Sequence, residues 1–321
     1  AKRLDDAVGR RLLSEGDPAT GHHRRRACGM PERGRNTVTR VTPLVKWAGG
    51  KGQLLSQFEA HWPTEFGGYI EPFVGGGAVF FHLYSQDLLD GKGVVLIDQL
   101  EELINCYRVV QDQVEDLIAE LRRHEPYKTD PDYYYALRAW DRQPDYAQRS
   151  DVVRAARFIF LNRTCYNGLY RVNRRGEFNV PFGRYRNPKV CDAQNLRAAS
   201  LALQGVRLVA GDFEHCLAFA AEDDLVYMDP PYHPLSDTAN FTSYTAAGFG
   251  AQDQQRLARM FRALDGRGCQ LMLSNSPTPF VQGLYEGYER IEVEASRPIS
   301  SRADGRGAIS ELLVTNGYRK G

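Results

Sequence analysis

The sequence predicts an α/β fold with a parallel sheet, and three observations carry that expectation. Short apolar runs of strand length recur along the chain: Tyr69-Ile70, Gly93-Val94-Val95-Leu96-Ile97, Val206 to Ala210, Leu225-Val226-Tyr227-Met228 and Gln270 to Ser274. Their near-continuous hydrophobicity suits strands covered on both faces. Amphipathic stretches with helical spacing lie between them, and several runs end in an acid, at Glu71, Asp98, Asp212 and Asp229. Open α/β sheets bind ligands at that carboxyl edge.

Each element has its own justification. Order is expected from Pro43, through Lys46-Trp47-Ala48-Gly49-Gly50-Lys51 into a helix over Gly52 to His61 with Leu54, Leu55 and Phe58 on one face. The Gly-Gly pair admits a ligand close to the backbone, and Lys51 can meet a carboxylate. This stretch lacks the spacing of a triphosphate-binding loop. Tyr69 to Phe80 reads as a strand, a glycine-rich turn at Gly75-Gly76-Gly77 and a helix, with Asp98 about twenty positions after the glycines. That pairing fits a nucleoside-bearing ligand whose ribose hydroxyls need an acceptor. Leu103, Tyr107, Val110, Val114, Leu117 and Leu121 recur at threes and fours, predicting one helix from Glu101 to about His124. A second helix is expected over Val152 to Leu161, with Val153, Ala156, Phe158 and Phe160 as buried candidates, and a third over Gln252 to Leu264. Ile291 to Glu294 and Glu311 to Thr315 read as a closing pair around an Arg297 to Gly307 loop.

With 321 residues the chain is long enough for one sizeable α/β domain plus a smaller inserted or appended one. No apolar run approaches the roughly 18 residues of a membrane helix, and the N-terminus lacks a signal peptide's apolar core, so a cytoplasmic protein is expected. The six cysteines show no metal-ligand spacing; reduced thiols and no metal are expected. The net charge of +1 conceals a strong asymmetry. Residues 1–40 hold ten Lys/Arg against five Asp/Glu and 154–189 nine against one, so the remainder is net acidic. Concentrated positive charge suggests a bound polyanion. Residues 1–40, poor in aromatics, are expected to form a flexible basic tail, with a short helix available over Leu4 to Leu13.

Two stretches carry chemistry. Asn162 to Tyr185 alternates arginine with Tyr, Asn, Gly and Phe, a mixture that contacts phosphates, reads base edges and wedges into stacks. Asn167-Gly168 and Arg175-Gly176 mark two turns, so a pair of loops or a hairpin is expected there. Asp229-Pro230-Pro231-Tyr232 follows the 224–228 strand. Two prolines end the ladder and leave a stiff loop presenting a carboxylate, free carbonyls and an aromatic ring, which together suit a planar, amine-bearing ring. On its own the tetrapeptide reads equally well as a turn. The connection from Pro234 to Gly250 is long, polar and aromatic-bearing, as functional loops are.

Three stretches together carry a resemblance: Lys46 to Lys51; Asn162 to Gly183 with its Tyr-Asn-Gly-Leu and Gly-Glu-Phe-Asn-Val-Pro-Phe-Gly; and Asp229 to Tyr232 followed by Ala239-Asn240-Phe241-Thr242. From Pro43 to about Thr315 the chain resembles the Dam-type DNA adenine-N6 methyltransferases, the D12 class with its Asp-Pro-Pro-Tyr motif. The resemblance implies a Rossmann-like S-adenosylmethionine-dependent methyltransferase sheet, formed by 41–125 and 190–321, with a smaller inserted target-recognition domain at 126–189. It implies that Trp47, Ala48, Gly49, Lys51, Glu71, Phe73, Gly75 and Gly77 embrace S-adenosylmethionine, that Asp98 takes its ribose, and that Asp212 and Phe213 hold its adenine. Asp229, Pro230 and Tyr232 become the catalytic residues. Arg171 reads guanine, Tyr166 and Asn167 lie against or between base pairs, and Lys46 and Pro181 add contacts. Double-stranded DNA, probed as GATC by a monomer without a metal, is the implied partner. Thr164-Cys165 before Tyr166 and Tyr170 before Arg171 depart from the family pattern. A methyltransferase acting on RNA or on cytosine N4, and a non-catalytic DNA-binding protein, are the competing readings.

Overall fold

The computed structural model describes residues 41–234, 248–295 and 309–318. The N-terminal tail with its Leu4 to Leu13 helix, most of the 234–250 connection and the 297–307 loop lie outside them. Seven strands, β1 Tyr69–Glu71, β2 Val94–Asp98, β3 Arg207–Ala210, β4 Leu225–Met228, β5 Gln270–Asn275, β6 Glu289–Ala295 and β7 Ile309–Thr315, form one sheet in the order β3-β2-β1-β4-β5-β7-β6. β1 to β5 are mutually parallel, whereas β7 runs antiparallel between β5 and β6. Strand order reverses between β1 and β4, which opens a crevice at their carboxyl ends.

Helices α1 Leu55–Phe58, α2 Ala78–Ser85, α3 Glu101–Asp112, α4 Val114–His124, α5 Pro131–Arg138, α6 Asp151–Thr164, α7 Ala193–Ala202, α8 Ala251–Asp265 and α9 Pro279–Leu284 cover the sheet and its flanks. The central strands β1 and β4 are buried along their whole length because both faces are covered. Tyr69, Leu225 and Tyr227 enter an apolar cluster with α3, α4 and α6, while Ile70, Val226 and Met228 enter another with α8. α6 starts at a Ser150 cap, and α5 starts with Pro131 behind Asp130, whose carboxylate accepts from the Asp132 and Tyr133 amides. α6, within the span read as an insertion, packs on α3 and α4. The described residues all belong to one compact unit.

Two helical expectations need correction. The Glu101 to His124 helix is broken at Gln113, whose backbone (φ −137°, ψ 39°) leaves the helical region. Apolar spacing runs through the break, so periodicity alone does not reveal it. The Gly52 to His61 helix is a single α turn between two 3-10 turns, Lys51–Gln53 and Glu59–His61. Gly50 offers no side-chain cap, and the uncapped start tightens accordingly. Leu54, Leu55 and Phe58 are nonetheless buried.

Candidate active site

A cavity of about 670 Å³ opens at the strand-order reversal. Lys46, Trp47, Ala48, Gly49, Lys51, Glu71, Phe73, Gly75, Asp98, Asp212, Phe213, Asp229, Pro230 and Tyr232 all line it. These positions come from five separate stretches of sequence, and the sheet brings them together because β1, β2, β3 and β4 all point their carboxyl ends the same way. Gly75 has φ +48°, and a Cβ there would lie 2.6 Å from the Trp47 ring, so only glycine lets the turn close against that indole. Gly77 does not line the cavity. It caps α2 at φ +73°, and a Cβ would meet the Tyr107 hydroxyl at 2.5 Å, which makes its role one of packing. The Asp98 carboxylate accepts from the Gly75 amide (3.1 Å) and the Leu100 amide (3.0 Å), but burial outweighs both bonds and pushes its pKa up to about 6. Burial likewise holds the Glu71 carboxyl well above its usual range, although the Tyr69 hydroxyl donates to it at 2.8 Å.

The far end of the cavity is aromatic. Phe73 and Phe213 stack at 5.3 Å, and Phe249 packs against both. Arg256 lies 4.8 Å over the Phe213 ring and donates to Asp212 (2.9 Å), Glu214 (2.9 Å) and Asp253 (3.2 Å). The guanidinium thereby fixes the Asp212 carboxylate beside a flat apolar surface, as a purine with an exocyclic amine requires.

The Asp229–Tyr232 loop leaves β4 at Met228. Asp229 Oδ1 accepts from Lys51 Nζ (2.9 Å) and from Ser274 Oγ (3.0 Å), and Ser274 in turn meets the Tyr227 hydroxyl at 2.9 Å. Both bonds fall on Oδ1. Lys51, only 2% exposed, also approaches Glu311 (3.6 Å), donates to the Gly49 carbonyl (2.9 Å) and sits 4.5 Å over the Tyr232 ring. Tyr232 donates to Glu311 at 2.5 Å. The Pro231 carbonyl accepts from Gln254 (3.0 Å), whereas the Pro230 carbonyl has no partner among the described residues. Burial raises the Asp229 pKa, with Lys51 pulling against it.

Residues 47–299 match the family described as D12 class N6 adenine-specific DNA methyltransferase. The chain belongs to that family. It is 47% identical over 289 residues to a type II methyltransferase of Methanocaldococcus jannaschii, covering 86% of this chain and 99% of that one. It is 43% identical over 278 residues to a type II methyltransferase of Lactococcus lactis subsp. cremoris, covering 86% and 95%. A DNA adenine methylase of Escherichia coli is 35% identical over 273 residues, covering 84% and 94%.

This methyltransferase keeps its basic segment outside the cavity, apart from Arg163. Asn162 to Thr164 end α6, and the isolated antiparallel bridges Cys165 to Phe182 and Val172 to Phe178 fold residues 165–182 into a loose hairpin. Tyr166 is 53% exposed at its base, with its amide bonded to the Pro181 carbonyl at 2.8 Å. Asn167 takes φ +54°, and Arg171, exposed, donates from Nε to Asn179 at 2.7 Å. The Lys46 ammonium lies 4.3 Å over Tyr185, and burial followed by Arg163 lowers its pKa. Among the described residues no acid, histidine or cysteine cluster could hold a metal ion, and no helix is long and apolar enough to cross a membrane.

Sequence reasoning missed the residues that hold the Asp229–Tyr232 loop: Ser274, Glu311, Gln254 and Asn275. Gln254 and Asn275 are fully buried and bonded to one another (3.0 Å), Gln254 holding Pro231 and Asn275 accepting from the His233 amide at 3.2 Å. A polar Ser-Asn pair closing an otherwise apolar strand was the available signal. Glu311 had none, because it reaches the carboxyl edge only through the reversed direction of β7.

Proposed function

We propose that this methyltransferase moves the methyl group of S-adenosylmethionine to N6 of an adenine turned out of duplex DNA, at the site GATC. The observation that carries the reading is the pair of unoccupied acceptors on one stiff loop: Asp229 Oδ2 and the Pro230 carbonyl lack partners among the described residues, next to the Tyr232 ring. An exocyclic amine has two N–H bonds to donate and a lone pair delocalised into its ring. Two acceptors on one side draw the hydrogens out of plane and leave that lone pair directed away from the loop. Tyr232 offers the flat face on which the ring stacks.

The cavity fits the cofactor by its own chemistry: a glycine turn at Gly75 closed against the Trp47 indole, a carboxylate at Asp98, and the Asp212, Phe213 and Phe73 end for a purine. When bound, S-adenosylmethionine supplies an already activated methyl group, so this chain's residues need only bind, orient and exclude water. Adenine inside a duplex cannot reach the cavity, and half-exposed Tyr166 suits the void that an extruded base leaves. Residues 126–189 then serve as the target-recognition region. The competing readings, RNA or cytosine N4, gain no specific observation from the site.

Sequencing plasmid DNA from a methylation-free host that expresses the chain is expected to show N6-methyladenine confined to GATC. Modified adenine in another short site keeps the chemistry and overturns the specificity; with folded, soluble protein, no modified base overturns the function. Arg171→Ala is expected to relax choice at one guanine by about 1–3 kcal/mol, and an unchanged site profile reassigns that role. Cofactor affinity should also follow pH. Ribose hydroxyls donate to an ionised carboxylate, and burial raises the Asp98 pKa to about 6 in the free protein. Affinity is therefore full above that value and falls as pH drops through it, by up to about tenfold per pH unit, while Asp98→Asn flattens the profile. Calorimetric titration from mildly acidic to neutral pH decides it; a flat wild-type profile removes Asp98 from the ribose.

A further inference from the structure

Asn162, buried in the last turn of α6, makes three hydrogen bonds that join two distant loops. Its Oδ1 accepts from the Lys46 amide at 2.8 Å, and its Nδ2 donates to the Lys46 carbonyl at 2.8 Å and to the Gly168 carbonyl at 3.1 Å. The first two bonds clamp the Lys46 residue from both sides, as a rung of a strand ladder would. The third reaches the turn that presents Tyr166 and Asn167. Contact between the two loops is tight: Gly168 has φ +64°, and a Cβ on it would lie 2.4 Å from Lys46 Cδ. The Lys46 stem therefore has one path over the turn, leading its ammonium to the Tyr185 ring.

We propose that Asn162 is a positioning residue for sequence recognition, setting where the Lys46 side chain stands relative to the Tyr166–Gly168 turn. The inference rests on reading Lys46 and that turn as DNA contacts. Only an amide supplies what the joint needs, an acceptor for one amide and donors for two carbonyls. Asn162→Asp preserves shape and the bond from the Lys46 amide, but it turns a carboxylate oxygen toward two carbonyls. The joint opens at the Lys46 carbonyl and at Gly168 together, and Lys46 loses its register with the turn.

The test measures methylation rates of the full chain on duplexes carrying every single base-pair change in and beside the methylated site. Four variants are compared: Lys46→Ala, Asn162→Asp, their combination, and Gly168→Ala. Lys46→Ala is expected to flatten discrimination at one position by about tenfold. Asn162→Asp is expected to flatten the same position, and the double variant to be no worse than either single one, since the two residues act through one side chain. Gly168→Ala pushes the Lys46 stem from the other side while leaving the Asn162 side chain itself unchanged and should give the same profile, which keeps the inference testable should Asn162→Asp fail to fold. If Lys46→Ala flattens a position while Asn162→Asp and Gly168→Ala slow all duplexes uniformly, Asn162 is scaffold and the proposal fails alone. If Lys46→Ala leaves the profile intact, the reading of Lys46 as a DNA contact falls, and the proposal with it.

Discussion

Asp229→Ala is expected to lower methyl transfer by about a thousandfold while changing affinity for cofactor and for DNA only severalfold. The site separates these roles. The Gly75 turn, Asp98 and Asp212, which suit a cofactor, stand at or just beyond the carboxyl ends of β1, β2 and β3, and the hairpin is a different region again. Among the described residues, the Asp229 carboxylate is bonded to Lys51 and Ser274. Removing its carboxylate deletes one of the two acceptors without disturbing the other surfaces. Single-turnover rates beside separate binding titrations check this. Near-normal turnover withdraws the catalytic assignment, whereas equal losses in rate and cofactor affinity reassign Asp229 to cofactor binding.

Lys51→Met is expected to do a different kind of damage. The ammonium is buried between Asp229 and Glu311, and the variant leaves two carboxylates facing one another with no cation between them. Breaking a buried pair from one side typically costs about 3–5 kcal/mol, so thermal stability should fall clearly. The pH dependence of rate should move as well. Burial already raises the Asp229 pKa, and Lys51 is the largest influence lowering it. Without Lys51 the acid form persists to higher pH, so less of the carboxylate that must be ionised to accept from an amine is present at a given pH, and more returns as pH rises. Methyl transfer is expected to drop by about ten- to a hundredfold at neutral pH and to recover partly in alkaline buffer. A rate that is low but independent of pH argues that Lys51 acts by shape or by touching substrate, not through Asp229.

The two variants probe the site from opposite ends of its legibility. Asp229 stood out in the sequence, because two prolines after an apolar strand announce both where the strand stops and which groups are exposed. Lys51 was equally visible beside its glycines, and meeting a carboxylate was the expectation, but which carboxylates depended on folding. Its partners lie 178 and 260 positions away in the chain.

Local pattern determined much about this protein: strands that end in acids, a glycine turn beside the cavity, the Asp-Pro-Pro-Tyr loop, and the charge excess of 154–189, which runs from α6 into a hairpin. These are legible because backbone conformation and binding chemistry at each stretch depend on residues a few positions apart. Tertiary structure alone decided that Gln113 breaks a helix whose apolar spacing runs on unbroken, and that Gly77 serves packing against Tyr107 and not the cavity. It also decided that Ser274, Gln254 and Asn275 hold the Asp229–Tyr232 loop, that Glu311 joins them through an antiparallel strand, and that Asn162 ties Lys46 to the Tyr166 turn. Each of these depends on a direction of approach between segments far apart in the chain, which strand order and helix packing set and no local spacing encodes.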